Sequence, residues 1–384
     1  MDSSVAIIDV ERTQFTEHWK KDYFDLAWEV GKTLLDRTGY HRVGVELFSV
    51  AGMKNEYEKS KFRQMLGVED KEIRFCEGGS ESGVLALEYA VRSIKSGECK
   101  VAFVGSSERS MNTGSEDEHK NLLKREQGWY VEAGKIKTQL MNELGVTEES
   151  LAGIPVKAHF QGSFNSKAQY QKIIKRKTVL ASSYVRDAKP LRDYEKSFEN
   201  CCGADGMILC NEDEARKHPN PVFIEGFGTA QHIDQEHCYN IPSIRIAIEK
   251  ACKNIVRPDD LALLQVSDSA TPLEAVVLSN IIIPQNELEE VLRNTFKNAD
   301  EPEKQSPSWP YALHRPVFVN TDGGDKAAGF PGSSTSYHRR VIETVEQLQG
   351  KAGKRQVPDL NYGLTVSVDD YRAMAISSHL LGVR

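Results

Sequence analysis

The stretch Arg74–Ala90, RFCEGGSESGVLALEYA, decides the fold. It starts with an apolar strand end, turns at Glu77-Gly78-Gly79, and continues with apolar residues at helical spacing. Ser80 lies at the bend, where the first N–H groups of the helix point outward and have partial positive charge. A serine here is either a helix cap, for which serine is a preferred residue, or a nucleophile. The stretch alone favours the cap, so the rest of the chain has to decide.

The composition is typical of a globular protein without a nucleic-acid or membrane partner. The chain has 384 residues, enough for two ordinary domains or one large duplicated one. Its formal net charge of -7 argues against a general nucleic-acid binder. The N-terminus does not resemble a signal peptide and no apolar run is long enough to cross a membrane, so we predict a cytoplasmic location. The seven scattered cysteines lack metal-ligand spacing, which predicts reduced thiols and no bound metal.

Strands and helices alternate along the chain, which predicts the α/β class. The order strand, helix, strand, glycine turn and helix occurs twice, around residues 5–210 and 222–384, and indicates an internal duplication. We therefore predict a first half over residues 1–220 and a second half over residues 221–384. Within the first half, polar residues dominate from about 111 to 194, and we expect a long insertion with surface-like helices rather than core.

Apolar runs and helical periodicity place the individual elements. The predicted strands are 5–10, 43–50, 73–76, 100–105, 222–228, 261–266, 317–320, 364–368 and 374–381. The predicted helices are 23–35, 59–66, 241–252, 287–296 and 335–349, together with the one that starts between Ser80 and Gly83. The bend at Ser80 therefore belongs to the first of the two repeated units.

Several stretches together resemble the thiolase superfamily, and within it the sterol-carrier-protein type of thiolase. They are VAIIDVERTQF from Val5, CEGGSESGVLALEYAVRSIKSGECKVAFVGSSERS from Cys76, KPLRDYEKSFENCCGADGMILC from Lys189, RPDDLALLQVSDSATPLE from Arg257 and VNTDGGDKAAGFPGSS from Val319. The resemblance covers nearly the whole chain. It implies the five-layered αβαβα fold with two duplicated halves, a dimer, and action on acyl-CoA thioesters, so that coenzyme A is part of the substrate.

The resemblance fails at the catalytic residues. The nucleophilic cysteine of the family falls at Ser80, and the histidine of its Gly-His-Pro motif falls at Phe330. The last family loop, with a cysteine or asparagine and a run of glycines, corresponds to Val366–Tyr371, which has neither. The asparagine or histidine of the strand-end motif matches Ser267, next to Asp268. Each expected catalytic side chain is therefore replaced, while the sequence around it remains.

The family resemblance and the ionisable residues near the lost positions give a set of candidate site residues. They are, for catalysis, Ser80, Asp268, Asp370 and Tyr371 and, as lining of the coenzyme A pocket, Gly79, Gly329 and Gly332. The simpler interpretation of Tyr371 is a half-buried aromatic residue, and that of Asp370 is a turn residue. Tyr337 and His338 are further ionisable groups, but His338 is predicted to lie on the surface because it stands beside two arginines.

Three functions fit these residues. The first is an enzyme of altered chemistry on a CoA thioester, such as the retro-aldol cleavage by family members that also lack the cysteine, which needs a base and an oxyanion site but no acyl-enzyme. The second is an inactive subunit that supports a thiolase-like partner, in a family whose heteromers often include a small zinc-ribbon and OB-fold protein. The third uses Ser80 as acyl acceptor and needs a base that the sequence does not provide. We expect the first, as a homodimer or heteromer, with the second as the alternative.

Overall fold

The computed structural model describes residues 4–40, 44–52, 56–77, 81–109, 116–197, 201–232, 238–330, 332–368 and 374–384. The predicted site residues Gly79, Ser80, Asp370 and Tyr371 lie outside the described residues. Asp268, Gly329 and Gly332 lie within them. The structure therefore bears on the surroundings of the predicted site and on three of its residues.

The elements follow the predicted order. The strands are β1 (Val5–Arg12), β2 (Leu47–Ala51), β3 (Glu72–Cys76), β4 (Val101–Arg109), β5 (Cys202–Asn211), β6 (Val222–His232), β7 (Leu263–Val266), β8 (Tyr311–Ala312), β9 (Pro316–Val319), β10 (Tyr362–Val368) and β11 (Met374–Gly382). The helices are α1 (Tyr23–Thr38), α2 (Glu56–Leu66), α3 (Ser82–Ser96), α4 (Glu116–Glu143), α5 (Glu148–Leu151), α6 (Gly153–Gly162), α7 (Arg176–Leu180), α8 (Glu212–Ala215), α9 (Pro242–Cys252), α10 (Thr271–Ser279), α11 (Leu288–Thr295), α12 (Gly324–Ala327) and α13 (Ser333–Leu348).

The strand order repeats in the two halves of the chain. From the middle of the sheet outward, the first half runs β1-β5-β4-β2-β3 and the second β6-β11-β10-β7-β9, with β8 beyond β9. In each half the first two pairings are antiparallel and the next two are parallel. The halves meet where β1 and β6 pair over two residues, Ala6 with Phe223 and Ile7 with Val222. This repeat is what an internal duplication produces, whereas the exact boundary at residue 220 stays a prediction.

Helices α3 and α13 lie between the two halves of the sheet. Along β1, Val5 and Ile7 pack in one apolar cluster with α3 and α13, whereas Ala6 and Ile8 pack in another with α1 and α2. This alternation is the normal period of a strand. Strands of the second half contribute to the α3–α13 cluster, for example through Leu381, and cover their other face with α9, α10 and α11. The predicted mixed α/β fold is thus confirmed, with helix, sheet, helix, sheet and helix in succession.

The prediction of surface-like helices in residues 111–194 is wrong for α6. This helix is buried along its whole length, and Phe160 packs in the core of the second half. The prediction treated the polar residues of α6 as exposed, but they are buried with hydrogen-bond partners. Lys157 Nζ donates to the Val319 carbonyl at 2.8 Å, and Gln161 Nε2 donates to the Ser308 carbonyl at 2.8 Å. A charged residue indicates exposure only when the fold offers it no buried acceptor.

The first turns of α3 and α13 touch at a glycine. A Cβ atom on Gly83 would lie 2.8 Å from the carbonyl oxygen and 2.9 Å from the Cα atom of Ser334. Real Cβ atoms do not come so close to backbone, so only glycine allows this contact without movement of a helix. Gly83 therefore sets the distance between the two helix N-termini.

Gly83→Ala should separate α3 from α13 and lower the free energy of unfolding by about 1–3 kcal/mol, the usual cost of overpacking. Gly128→Ala is the matched control, because a Cβ there meets nothing within 4 Å inside α4 and alanine is the better helix former. Urea denaturation followed by circular dichroism measures both variants. Equal stability of the Gly83 variant and the natural chain would contradict this helix contact.

Candidate functional site

The candidate site lies where the N-termini of α3 and α13 meet the ends of three strands. The Val368 N–H at the end of β10 donates to Ser267 Oγ, just beyond β7, at 3.0 Å. Ser377 Oγ of β11 donates to Glu81 Oε2, just before α3, at 2.9 Å. Hydrogen bonds thus connect segments that are far apart in sequence, and these segments surround the candidate site. The two helix N-termini give that place partial positive charge, which suits an anion or a developing oxyanion.

A carboxylate from β4 holds the start of α13. Glu108 Oε2 accepts the Thr335 N–H at 2.8 Å and the Thr335 hydroxyl at 3.1 Å. A Cβ on Gly332 would lie 2.4 Å from Glu108 Cδ, so the carboxylate fills the space that a side chain at 332 would need. A carboxylate at a helix N-terminus satisfies free N–H groups and interacts well with the helix dipole. We did not predict Glu108 from the sequence, although its position just after the apolar run 100–105 was the available signal.

The turn before α13 requires glycine at a second position. Gly329 has a φ of +110°, and a Cβ there would lie 3.0 Å from both Gln169 Oε1 and Phe15 Cβ. The backbone N–H groups of Gln169 and Tyr170 donate to the carbonyls of Ala328 and Ala327 at 3.1 and 2.9 Å. The segment after α6 therefore fixes the loop that leads to Phe330. The pocket-lining role of Gly329 and Gly332 stays a prediction.

Asp268, predicted as a catalytic acid, is completely buried and ion-paired. Lys326 Nζ donates to Asp268 Oδ2 at 2.9 Å, and the Asp325 N–H donates to Oδ1 at 2.9 Å. A Cβ on Gly324 would lie 2.0 Å from Oδ2, so the carboxylate packs directly on the turn that begins α12. Burial, opposed by the Lys326 charge, raises the pKa of Asp268 to about 6. The structure places this carboxylate where it fastens the turn at 324–326.

Buried charges continue from Asp268 in two directions. Towards α10, Lys326 Nζ also donates to Glu274 Oε2 at 3.1 Å, and the Tyr311 hydroxyl donates to Glu274 Oε1 at 2.7 Å. Burial raises the pKa of Glu274, but the charges of Lys157 and Lys326 outweigh this and lower it to about 2. A buried carboxylate of this kind stabilises the fold only while its cations remain.

Towards α13, the network centres on Arg339. Its guanidinium donates to Asp322 Oδ1 and, at 3.0 Å, to Asp325 Oδ1. Arg12 of β1 lies 3.6 Å from Asp322 Oδ2. Burial raises the pKa of Asp322, but Arg339 and Arg12 outweigh this and lower it to about 2. The network therefore joins three elements, which are β1, the turn before α12, and helix α13. It stabilises the helix whose N-terminus forms part of the candidate site.

The predicted surface position of His338 is wrong. The residue is fully buried, with Nδ1 2.6 Å from Asp205 Oδ1 and Nε2 2.9 Å from the Gly83 carbonyl oxygen. The reason is that α13 has a sheet on two sides and α3 on a third, so its polar residues are buried as well. A polar run in a helix predicts a solvent face only for a helix in an outer layer.

Tyr337 is also buried and bonded, and it is not a base at neutral pH. Its hydroxyl bonds to His379 Nδ1, and His379 Nε2 lies 2.8 Å from Glu88 Oε1. Burial and the nearby charges of Glu88 and Glu81 raise the pKa of Tyr337 well above 10. The phenol therefore stays protonated and links α13, β11 and α3.

The cysteines offer no obvious replacement nucleophile. None of the seven forms a disulfide. Burial raises the pKa of Cys76, the cysteine closest in sequence to Ser80, so its thiol stays protonated at neutral pH. Within the described ranges, no group of three or more His, Cys, Asp or Glu side chains is placed to hold a metal ion. The helices described there also include none long and apolar enough to cross a membrane.

A surface groove of about 520 Å³ lies elsewhere, beside α11 and β8. Its lining includes Ile282, Glu287, Glu290, Val291, Leu313 and Arg315. The groove shares no residue with the junction of α3 and α13. It is an alternative place for a ligand, and experiments on substrate binding have to distinguish the two.

Comparison with known proteins finds a matching family model and similar acetyltransferases. A family model described as "Thiolase C-terminal domain-like" matches residues 313–380, which include β9, α13 and β10. An acetyl-CoA acetyltransferase of Methanothermobacter thermautotrophicus is 26% identical over 384 residues, covering 95% of this chain and 96% of the relative. The chain is similar to thiolase-superfamily proteins over nearly its whole length.

Solved structures show the same fold. The Ltp2-ChsH2(DUF35) aldolase superposes with a TM-score of 0.77 at 17% identity, covering 99% of this chain and 98% of the other. The acetyl-CoA acetyltransferase of Bacillus anthracis superposes with a TM-score of 0.71 at 14% identity, covering 100% and 99%. The whole chain therefore has the thiolase fold, with matches among both aldolase and acetyltransferase structures.

Glu274→Gln should remove a contribution to stability that depends on pH. The folded-state pKa of about 2 lies below the ordinary 4.5, so ionised Glu274 stabilises the fold above pH 4.5 and loses this effect as the pH falls to 2. We expect the free energy of unfolding of the variant to be about 3 kcal/mol lower at pH 7 than that of the natural chain. We also expect its free energy of unfolding to change less between pH 4.5 and 2. Denaturant titrations across this pH range measure both effects.

Glu287→Gln, at an exposed position, is the matched control and should leave the profile unchanged. If both variants follow the natural chain, the buried ion network does not stabilise the fold.

Proposed function

We propose that the chain is an acyl-CoA enzyme that makes or breaks a carbon–carbon bond with an atypical active site. One observation supports this most: the N-termini of α3 and α13 meet in close contact at Gly83 and Ser334. Backbone N–H groups at a helix N-terminus bind an oxyanion without a particular side chain. The part of a thiolase-like site that depends on backbone is therefore retained, and the part that depends on Cys and His is replaced.

The replaced residues favour a reaction without an acyl-enzyme. A serine hydroxyl needs an adjacent base to act as nucleophile, and Phe330 cannot transfer a proton. A retro-aldol reaction of a 3-hydroxyacyl-CoA needs only a base and an oxyanion site. The base removes the hydroxyl proton, the C2–C3 bond breaks, and its electrons form the thioester enolate, which is then protonated at C2. The fold shared with the Ltp2-ChsH2(DUF35) aldolase supports this option.

Residue roles follow from this proposal. Tyr371 or Asp370, in the segment between β10 and β11, supplies the acid or base, and Gly79, Gly329 and Gly332 line the pocket for the coenzyme A part of the substrate. Ser80 caps α3. Asp268 supports the site through the turn at 324–326 and does not transfer a proton itself, because Lys326 Nζ and the Asp325 N–H already occupy its oxygens.

The alternative is an inactive subunit that stabilises an active thiolase-like partner. Two observations favour it. The ionisable groups Asp268, Tyr337 and His338 are all fully buried and hydrogen-bonded. The aldolase of similar fold is named as a pair, Ltp2 with ChsH2(DUF35). In this case the partner provides the catalytic residues, and a small zinc-ribbon and OB-fold protein completes the complex. The two halves divided near residue 220 would then be retained for assembly.

Two assays test the proposal, one of 3-oxoacyl-CoA thiolysis and one of 3-hydroxyacyl-CoA cleavage. Chromatography of the CoA products measures both reactions. We expect cleavage without thiolysis. Tyr371→Phe should lower kcat by about 10²-fold or more, the usual effect of losing a general acid or base, while Ser80→Ala should change it less than about threefold. Tyr57→Phe is the control, because Tyr57 is an exposed tyrosine of α2 and should retain full activity.

The outcomes separate the two functions. Turnover that appears only with a thiolase-like partner and does not change with Tyr371→Phe would identify an inactive subunit. Failure to bind CoA at millimolar concentration, alone or in complex, would contradict both functions.

A further inference from the structure

A buried chain of hydrogen bonds runs from β4 through β5 and α13 to the first turn of α3. Asp205 Oδ1 accepts the Ser106 N–H at 3.1 Å, and Oδ2 accepts the Ser106 hydroxyl at 2.7 Å. His338 Nδ1 lies 2.6 Å from Asp205 Oδ1, and Nε2 lies 2.9 Å from the Gly83 carbonyl oxygen. The imidazole has no exposed surface. This side chain links the sheet of the first half directly to the start of α3.

The partners determine the protonation of His338. A carbonyl oxygen only accepts hydrogen bonds, so Nε2 carries a proton that it donates to Gly83. The other partners of Asp205 are donors from Ser106, which an ionised carboxylate accepts. Burial raises the pKa of Asp205, and His338 and the Ser106 donors oppose this rise. With Asp205 ionised, Nδ1 donates as well and the ring is an imidazolium. Burial lowers the pKa of His338, but the Asp205 charge and the Gly83 bond outweigh this and raise it.

The groups around the ring agree with a cation. Glu108 of β4 adds a second negative charge nearby, and its influence also raises the pKa of His338. Tyr337, the neighbour on α13, is a protonated phenol without charge. From α3 the ring meets only the neutral carbonyl of Gly83 among the bonds described. The positive charge is thus held between β4 and β5 on one side and a carbonyl dipole on the other.

We propose that His338 is a positioning residue that holds the first turn of α3, and with it the oxyanion site, in place. The inference rests on the proposed function, since the anion it serves is the thioester oxygen of an acyl-CoA. His338 does not touch the substrate, because it is fully buried and both ring nitrogens are bonded. It acts through the Gly83 carbonyl, in the turn whose N–H groups face the site. Deprotonation of the ring leaves its remaining proton on Nδ1, beside the Asp205 carboxylate, so Nε2 can no longer donate to the Gly83 carbonyl and the turn loosens.

Two conservative variants test the two hydrogen bonds of the ring separately. The amide nitrogen of glutamine corresponds to Nε2 and can still donate to Gly83, whereas that of asparagine corresponds to Nδ1 and reaches only Asp205. Both remove the charge, so both lower stability similarly. His338→Asn should speed amide exchange over Glu81–Leu87 about tenfold and weaken acetoacetyl-CoA binding about tenfold, the effect of one lost hydrogen bond. His338→Gln should stay within about threefold of the natural chain in both.

The pH profile gives a readout that a merely structural role would not change. Affinity of the natural chain for acetoacetyl-CoA should fall as the pH rises through the raised pKa of His338. The His338→Gln variant has no imidazolium to lose, so it should lack this fall. His159→Gln, at a buried histidine of α6 away from this chain of bonds, is the matched control and should keep the natural profile.

The experiment separates this inference from the proposed function. If the natural chain does not bind acetoacetyl-CoA, the proposed function fails, and exchange over Glu81–Leu87 still tests whether His338 holds the turn. Equal exchange in the Asn and Gln variants would show that it does not. Faster exchange without weaker binding in the Asn variant would overturn the positioning role.

Discussion

A buried charge needs a partner, and this requirement shapes the middle of the molecule. Helix α13 lies between two sheet halves, so Arg339 and His338 have no access to water. Each is satisfied by carboxylates from another element, Asp322 and Asp325 for Arg339 and Asp205 for His338. Because an unpaired charge at such depth costs several kcal/mol, these pairs fix α13 against the sheet. The position of the site, at the N-terminus of this helix, depends on them.

The fold could be predicted from the sequence because its signals are local. The stretch from Arg74 places a strand, a glycine turn and a helix, and the structure has β3 and α3 within two residues of the expected limits. The same signals in the second half indicate the duplication. Local signals are less reliable where polar residues are buried. β4 continues to Arg109, beyond the predicted end at 105, because Ser106 bonds to Asp205 inside the sheet.

The candidate site could be predicted only in part. The glycines at 329 and 332 mark the turn before α13, and their close contacts explain why glycine is needed there. The roles of side chains depend on which distant residue faces them, and spacing does not give this. Asp268 appeared to be a free acid because its partner Lys326 is 58 residues away, and His338 appeared to be exposed because its partner Asp205 is 133 residues away. A network of long-range pairs has no local signature.

We expect an acyl-CoA to bind with its thioester oxygen at the start of α3, although the sequence predicts that the thiolase Cys and His are replaced. A crystal structure of the chain, alone or in its natural complex, with a 3-hydroxyacyl-CoA tests this most directly. We predict the thioester oxygen at hydrogen-bond distance, about 2.7–3.1 Å, from N–H groups of the first turn of α3. A thioester bound only in the groove beside α11 and β8, or oriented away from α3, would contradict it.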